Sequence, residues 1–312
     1  MFDVAQNEEE GFLGGGNMLI KTLSFWGMMV IWSFGVAPDL NGLGLYSPVS
    51  SFVVGEASTA VALGVDSPYK NPAGLSSVQD VVFTTTASTY FDQNMSVYAL
   101  GVAKRLTPAI CVGFALPYQS ISDIPQTVEL SDGHGLQTGS FQDNTVACKG
   151  ILSYTTHKLS MGVGFGYDQA SILGITGQGF GIDLGVLAES GDVSIGSAIQ
   201  NLGGKLVRWS SGQTDTIDPV YHVGLGCHVL SNFQVLLDTS MEKKSASMVN
   251  IGCIYGFHKV LSLSFGWVNV GRSPDLRAGM KVNLPDFSLE YGCSTMALGT
   301  TQRLGLSWFF DS

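Results

Sequence analysis

What most constrains this chain is its alternation. Beyond residue 78, large apolar residues recur at every second position in one run after another. In Met161 to Tyr167, Met161, Val163, Phe165 and Tyr167 share one face, and Gly162, Gly164 and Gly166 share the other. In Tyr221 to Val229, the set Tyr221, Val223, Leu225, Cys227 and Val229 opposes His222, Gly224, Gly226 and His228. Leu261, Leu263, Phe265 and Trp267 oppose Ser262, Ser264 and Gly266 in the same way. A period of two belongs to a β-strand, whose successive side chains point to opposite faces. The runs are about 9–13 residues long, whereas ordinary strands average about 5–6. A strand tilted across a bilayer needs about 9–11 residues.

About fourteen such strands are expected, near 79–91, 94–105, 108–118, 141–156, 158–170, 177–189, 191–201, 217–230, 232–241, 246–257, 259–269, 274–284, 286–294 and 300–311. An even count with short turns at one end (157–158, 190–192, 231–232, 258–259, 284–286) and longer links at the other (119–140, 201–216, 241–245, 269–274) predicts an all-β, antiparallel, up-and-down transmembrane barrel. Tyr90, Phe91, Tyr167, Tyr221, Trp267, Trp308 and Phe310 lie near strand ends, where a barrel carries an aromatic girdle. Composition agrees. Charged residues are 13% of the chain, against about 25% in ordinary proteins. Hydrophobic residues make up 45%, yet no run of about 18 apolar residues follows residue 40, so no helical span is expected in the body. A soluble secreted β protein is the alternative. It would need a polar face, and here the second face is mainly Gly and Ser. The Gly- and Ser-rich inner face allows space inside a barrel of this size, and residues 38–78 are the candidate to fill it.

Net charge is −10 with 15 Lys and Arg and no basic stripe, so nucleic acid is excluded as a partner. Outer-membrane lipid is the expected surroundings. The inner face carries a few polar candidates: Asp183, His222, His228, Arg277, Lys281, Glu290 and Arg303. His222 and His228 lie six residues apart, about 20 Å along a strand, too far to share a metal. The five cysteines form no C-x-x-C pair and read as small wall residues. No G-x-S-x-G, H-E-x-x-H or P-loop occurs, so no enzyme, metal or cofactor is expected.

The N-terminus reads as a secretory leader. Lys21 precedes the apolar stretch Leu23 to Phe34, and Gly35-Val36-Ala37 is a small-x-small cleavage site before Pro38. Residues 1–37 are therefore assigned as leader, with Met18 the expected true start. Residues 38–78 do not alternate, and 79–312 are the barrel. Within 38–78, Glu56 to Leu63 is expected to form about two helical turns. In Asn71-Pro72-Ala73-Gly74, Asn71 is a natural N-cap, Pro72 suits the first helical position, and Gly74 is able to adopt φ > 0.

Three stretches carry a family resemblance: "GEASTAVALGVDSPYKNPAGL" (55–75), "GIDLGVLAESGDVSIGSAIQNLGG" (181–204), and "LGTTQRLGLSWFF" (298–310) after "DFSLEYG" (286–292). Together they resemble the FadL superfamily of outer-membrane proteins, and within it the PorV/PorQ family, which usually has His where Gln302 stands. The resemblance implies a 14-stranded barrel plugged by an N-terminal hatch, with Asn71, Pro72, Ala73 and Gly74 as the hatch motif. It implies a hydrophobic, fatty-acid-like small molecule as ligand. The alternative it carries is a non-transporting accessory that binds proteins of a type IX-like secretion or surface-attachment system. The chain is short for a fatty-acid channel of that superfamily.

Overall fold

The computed structural model describes residues 46–61, 63–91, 94–129, 135–243, 247–270, 275–296 and 299–310. The expected leader, and residues 38–45 of the expected plug, lie outside the described residues.

Among the described residues, sixteen strands form one sheet. They are β1 (Val81–Tyr90), β2 (Met95–Thr107), β3 (Ile110–Glu129), β4 (Gly135–Thr156), β5 (Leu159–Ile172), β6 (Ile175–Ser190), β7 (Val193–Gln200), β8 (Lys205–Trp209), β9 (Thr214–Ile217), β10 (Val220–Leu230), β11 (Phe233–Glu242), β12 (Met248–Gly256), β13 (Leu261–Val268), β14 (Asp275–Asn283), β15 (Phe287–Met296) and β16 (Gly299–Phe310). Fourteen of them close into an antiparallel barrel: β1 pairs with β16, with Val81 opposite Phe310, and β7 pairs with β10. The other two, β8 and β9, form a hairpin that pairs with the far end of β6. It occupies the link expected at 201–216. The link expected at 119–140 is also mostly strand, because β3 and β4 stay paired out to Glu129 and Gly135. Beyond the bilayer a ladder needs no apolar face, so these segments carry no alternation to read.

Side chains sort as the alternation requires. Outward positions on the strands are apolar and exposed, among them Leu100, Leu152, Phe165, Phe180, Leu225 and Leu304. A water-soluble protein does not leave so continuous an apolar surface uncovered; a lipid-facing belt does. Tyr90 departs from the expected girdle. It is 2% exposed and points inward, against Arg303.

The three buried apolar clusters all form where residues 46–78 meet the inner wall. Phe52, Val54 and Ala57 pack with Leu236. Val65, Leu75 and Val78 pack with Ala103, Cys111 and Ile151. Residues 46–78 pack inside the barrel, and wall glycines are where they approach it most closely. A Cβ on Gly162 would stand 2.3 Å from the Pro72 carbonyl carbon, and one on Gly196 would stand 2.0 Å from Thr59 O. Many inward glycines are the seat of the plug backbone rather than empty space.

Candidate functional site: the plug and the cavity beside it

The plug holds one short helix, α1 (Val49–Phe52), and two 3-10 segments, Gly64–Tyr69 and Pro72–Ser77. Among the described residues of Glu56 to Leu63, the expected helix is not formed. Gly55 and Glu56 instead take left-handed backbone, with φ 66° and 62°. This turns the Glu56 carboxylate toward the wall, where Arg277 NH1 donates to it at 2.7 Å and Ser47 and Ser51 donate at 2.7 and 3.0 Å. Burial alone would raise the Glu56 acid, but Arg277 and Arg303 outweigh burial and hold it below the ordinary carboxylate range. The ion pair and two serine bonds replace what helix continuation would have given.

Asn71 is the joint of the motif. Its Oδ1 accepts from Ala73 N at 3.1 Å, the N-cap bond, and Pro72 takes the first position of the 3-10 segment. Its Nδ2 donates to Thr59 O at 2.7 Å and to Val186 O at 3.1 Å. One side chain thus ties two parts of the plug to β6. Ala73 is fully buried. Gly74 lies inside the 3-10 segment, not at positive φ. A Cβ there would stand 2.9 Å from Ser67 Oγ and 3.0 Å from Val61 O, so close packing accounts for this glycine.

Polar ties run from the plug to many sectors of the wall. Arg105 on β2 donates to Val78 O and Ser76 O at 2.7 and 2.5 Å. Lys149 on β4 reaches Pro68 O at 3.3 Å and Asp183 on β6 at 3.5 Å. Gln200 on β7 donates to Tyr69 O at 2.9 Å and contacts His222 Nε2 at 3.0 Å. Asp238 on β11 accepts from Thr59 N at 2.8 Å and pairs with Lys70 at 3.6 Å. Arg303 on β16 donates to Ser47, and its guanidinium stacks 4.0 Å from the Phe52 ring centre, with Arg277 at 4.3 Å from the same ring.

Six of the seven polar candidates from the sequence therefore face the lumen. Asp183, His222, Arg277 and Arg303 join the plug contacts directly or through a neighbour, and Lys281 and Glu290 pair with each other at 2.6 Å. His228 lies apart, exposed at the end of β10 beside a register shift. Sequence reading missed Glu56, Lys70, Arg105, Lys149, Gln200 and Asp238. Three of these carried a signal: Arg105, Lys149 and Asp238 are charges set within otherwise apolar or Gly-rich strand segments.

Beside the plug lies a cavity of about 580 Å³. Its apolar lining includes Val53, Val54, Val65, Leu236, Ile254 and Phe309, and its charged lining is Asp66, Asp80, Lys281 and Glu290. Asp80, Val81, Pro285 and Phe310 place its mouth at the short-turn end of the barrel, the end such barrels turn to the periplasm. Ser50 Oγ donates to Asp66 at 2.8 Å, a bond within the plug. Burial, then repulsion from Glu290, pushes the Asp66 acid up to about 7. Among the described residues, no three His, Cys, Asp or Glu side chains cluster to hold a metal.

No protein-family model and no curated protein sequence matches the chain. Solved structures do. The toluene transporter TbuX of Ralstonia pickettii matches with a TM-score of 0.63 at 13% identity, covering 85% of this chain and 98% of that one. The toluene transporter TodX of Pseudomonas putida matches with a TM-score of 0.62 at 12% identity, over 84% of this chain and 97% of that one. A FadL homologue from Pseudomonas aeruginosa matches with a TM-score of 0.58 at 8% identity, over 84% and 97%. The fold is that of the FadL-type outer-membrane barrels.

Proposed function

We propose that this chain is an outer-membrane channel that passes a hydrophobic small molecule. The observation that carries the reading is the cavity of about 580 Å³ between plug and wall, lined by both apolar and polar side chains and opening at the short-turn end. Its size is that of a small-molecule site. In this reading the molecule passes the plug, rests in the cavity and leaves by a local shift of the plug. The shift centres on the Asp66 side chain, which is bonded to Ser50 rather than to the wall, and it would have to release the neighbouring Pro68 and Tyr69 carbonyls from Lys149 and Gln200. A lateral exit is supported at Pro117. The β3–β4 pairing skips from Ala115–Lys149 to Tyr118–Val146 there, because proline has no N–H to give the ladder. The transporters of the same fold named above give the reading its chemical direction. Export through a cleaved leader belongs to the same proposal.

The test is uptake. The chain is expressed in a porin-deficient host whose lipopolysaccharide leaflet slows hydrophobic compounds. Faster uptake of toluene or a similar compound than in empty-vector cells is the expected result; an equal rate defeats the reading. One observation favours a second reading, the non-transporting PorV/PorQ-like accessory with a fixed plug: the plug is bonded to strands from β2 round to β16. That reading predicts that gentle solubilisation brings down a larger secretion assembly and that uptake is unchanged.

A further inference from the structure

We propose that the cavity selects by charge: it accepts a small apolar molecule ending in a hydrogen-bond donor, an alcohol or a protonated amine, and repels carboxylates. This rests on the reading of the cavity as a ligand site.

Among the described lining residues, three of the four charged ones are acids, Asp66, Asp80 and Glu290, and the fourth, Lys281, is held by Glu290 at 2.6 Å. The other cations that meet the plug are committed elsewhere. Arg277 serves Glu56 and Asp275, Arg303 serves Ser47, Lys70 serves Asp238, Lys149 serves Asp183 and Pro68, and Arg105 serves the carbonyls of Val78, Ser76 and Pro108. None of these five is among the described residues lining the cavity. An incoming carboxylate is an acceptor only. It would sit beside the Asp66, Asp80 and Glu290 carboxylates, with no uncommitted cation among the described lining residues, and an unpaired buried charge is strongly disfavoured. A hydroxyl or ammonium group donates, and the carboxylate oxygens of Asp66 and Glu290 accept. Burial first, then repulsion from Glu290, favours a proton on Asp66, and a ligand cation relieves the repulsion. The aliphatic lining from Val53, Val54, Val65, Leu236 and Ile254 suits the apolar body.

The experiment uses the full chain in amphipol and three ligands with one apolar body: hexylamine, hexanol and hexanoate, titrated by calorimetry at pH 8. Hexanoate is expected to bind at least ~10-fold more weakly than hexanol, about 1.4 kcal/mol, with hexylamine at least as tight as hexanol. Asp66→Asn is expected to narrow the gap between hexanoate and hexanol. Glu290→Gln, which releases Lys281, is a second variant expected to raise hexanoate affinity. Hexanoate binding as tightly as hexanol to the unaltered chain, or an unchanged gap in both variants, overturns the charge selection and leaves the ligand site standing. No heat with any of the three ligands overturns the ligand site and the selection together.

Discussion

One of the closest approaches of plug to wall gives a prediction whose sign is set by sterics. Gly196 on β7 pairs across the ladder with Gly224 on β10, and both face the turn at Thr59 and Ala60. A Cβ on Gly196 would lie 2.0 Å from Thr59 O, 2.6 Å from Thr59 C and 2.8 Å from Ala60 Cα. The first gap falls about 1.4 Å short of the 3.4 Å at which ordinary contact begins. The obstacle is backbone, and Thr59 is pinned by Asp238 through its N–H and by Asn71 through its carbonyl. Strand propensity points the other way, since alanine in a strand interior is favoured over glycine by about 0.5–1 kcal/mol. Overpacking costs about 1–3 kcal/mol, and two fixed backbones place Gly196→Ala at the upper end. About 3 kcal/mol raises the population of a detached plug turn roughly 100-fold. The assay is limited proteolysis of the folded barrel, mapping cuts within 46–78, because cleavage of a rarely opened segment follows its open population. Gly150→Ala is the control, since a Cβ there meets nothing within 4 Å. Cuts in the plug are expected for Gly196→Ala only, with the barrel still migrating as folded on unheated gels. A Gly196→Ala plug as resistant as the unaltered one would refute the view that wall glycines seat the plug.

Three further outcomes follow from the plug contacts. Asn71→Ala removes an N-cap and two buried donor bonds; a loss of about 2–3 kcal/mol in plug stability is expected, read by the same proteolysis. Arg277→Met leaves Glu56 buried without its partner and is expected to cost about 3–5 kcal/mol; Glu56→Gln with Arg277→Met should recover most of that loss, measured as the barrel's thermal midpoint. Asp66 has a folded pKa raised to about 7 from an ordinary 3.8, chiefly by burial, so the folded protein binds the proton more tightly than the unfolded chain. Its contribution is full below about pH 4 and is lost as pH rises to about 7. Proteolysis of the plug should therefore increase over that window, and Asp66→Asn should flatten the profile.

The barrel was legible because its rule is local: a strand between lipid and lumen must alternate, and Met161 to Tyr167 shows that rule without reference to any other segment. The β8–β9 hairpin and the outer ends of β3 and β4 escaped because strands outside the bilayer obey no such rule. The plug was legible only at Asn71 and Pro72, whose capping chemistry acts between neighbours in sequence. Glu56 was misplaced in a helix because its partner, Arg277, lies 221 residues away. The inner glycines read correctly as one face, but whether a glycine marks space or contact depends on what stands opposite, and periodicity carries no such information.

The most direct test of the central claim fills the cavity without touching the plug ties. Ser262 lines the cavity wall on β13, and Ser262→Trp would project a large ring into it. Uptake of a hydrophobic compound is measured in cells carrying the unaltered chain, this variant, or neither, with folding checked by the heat-dependent gel shift. The account predicts uptake with the unaltered chain, and background uptake with a folded Ser262→Trp barrel. Uptake undiminished by the filled cavity, or none with the unaltered chain, would contradict it.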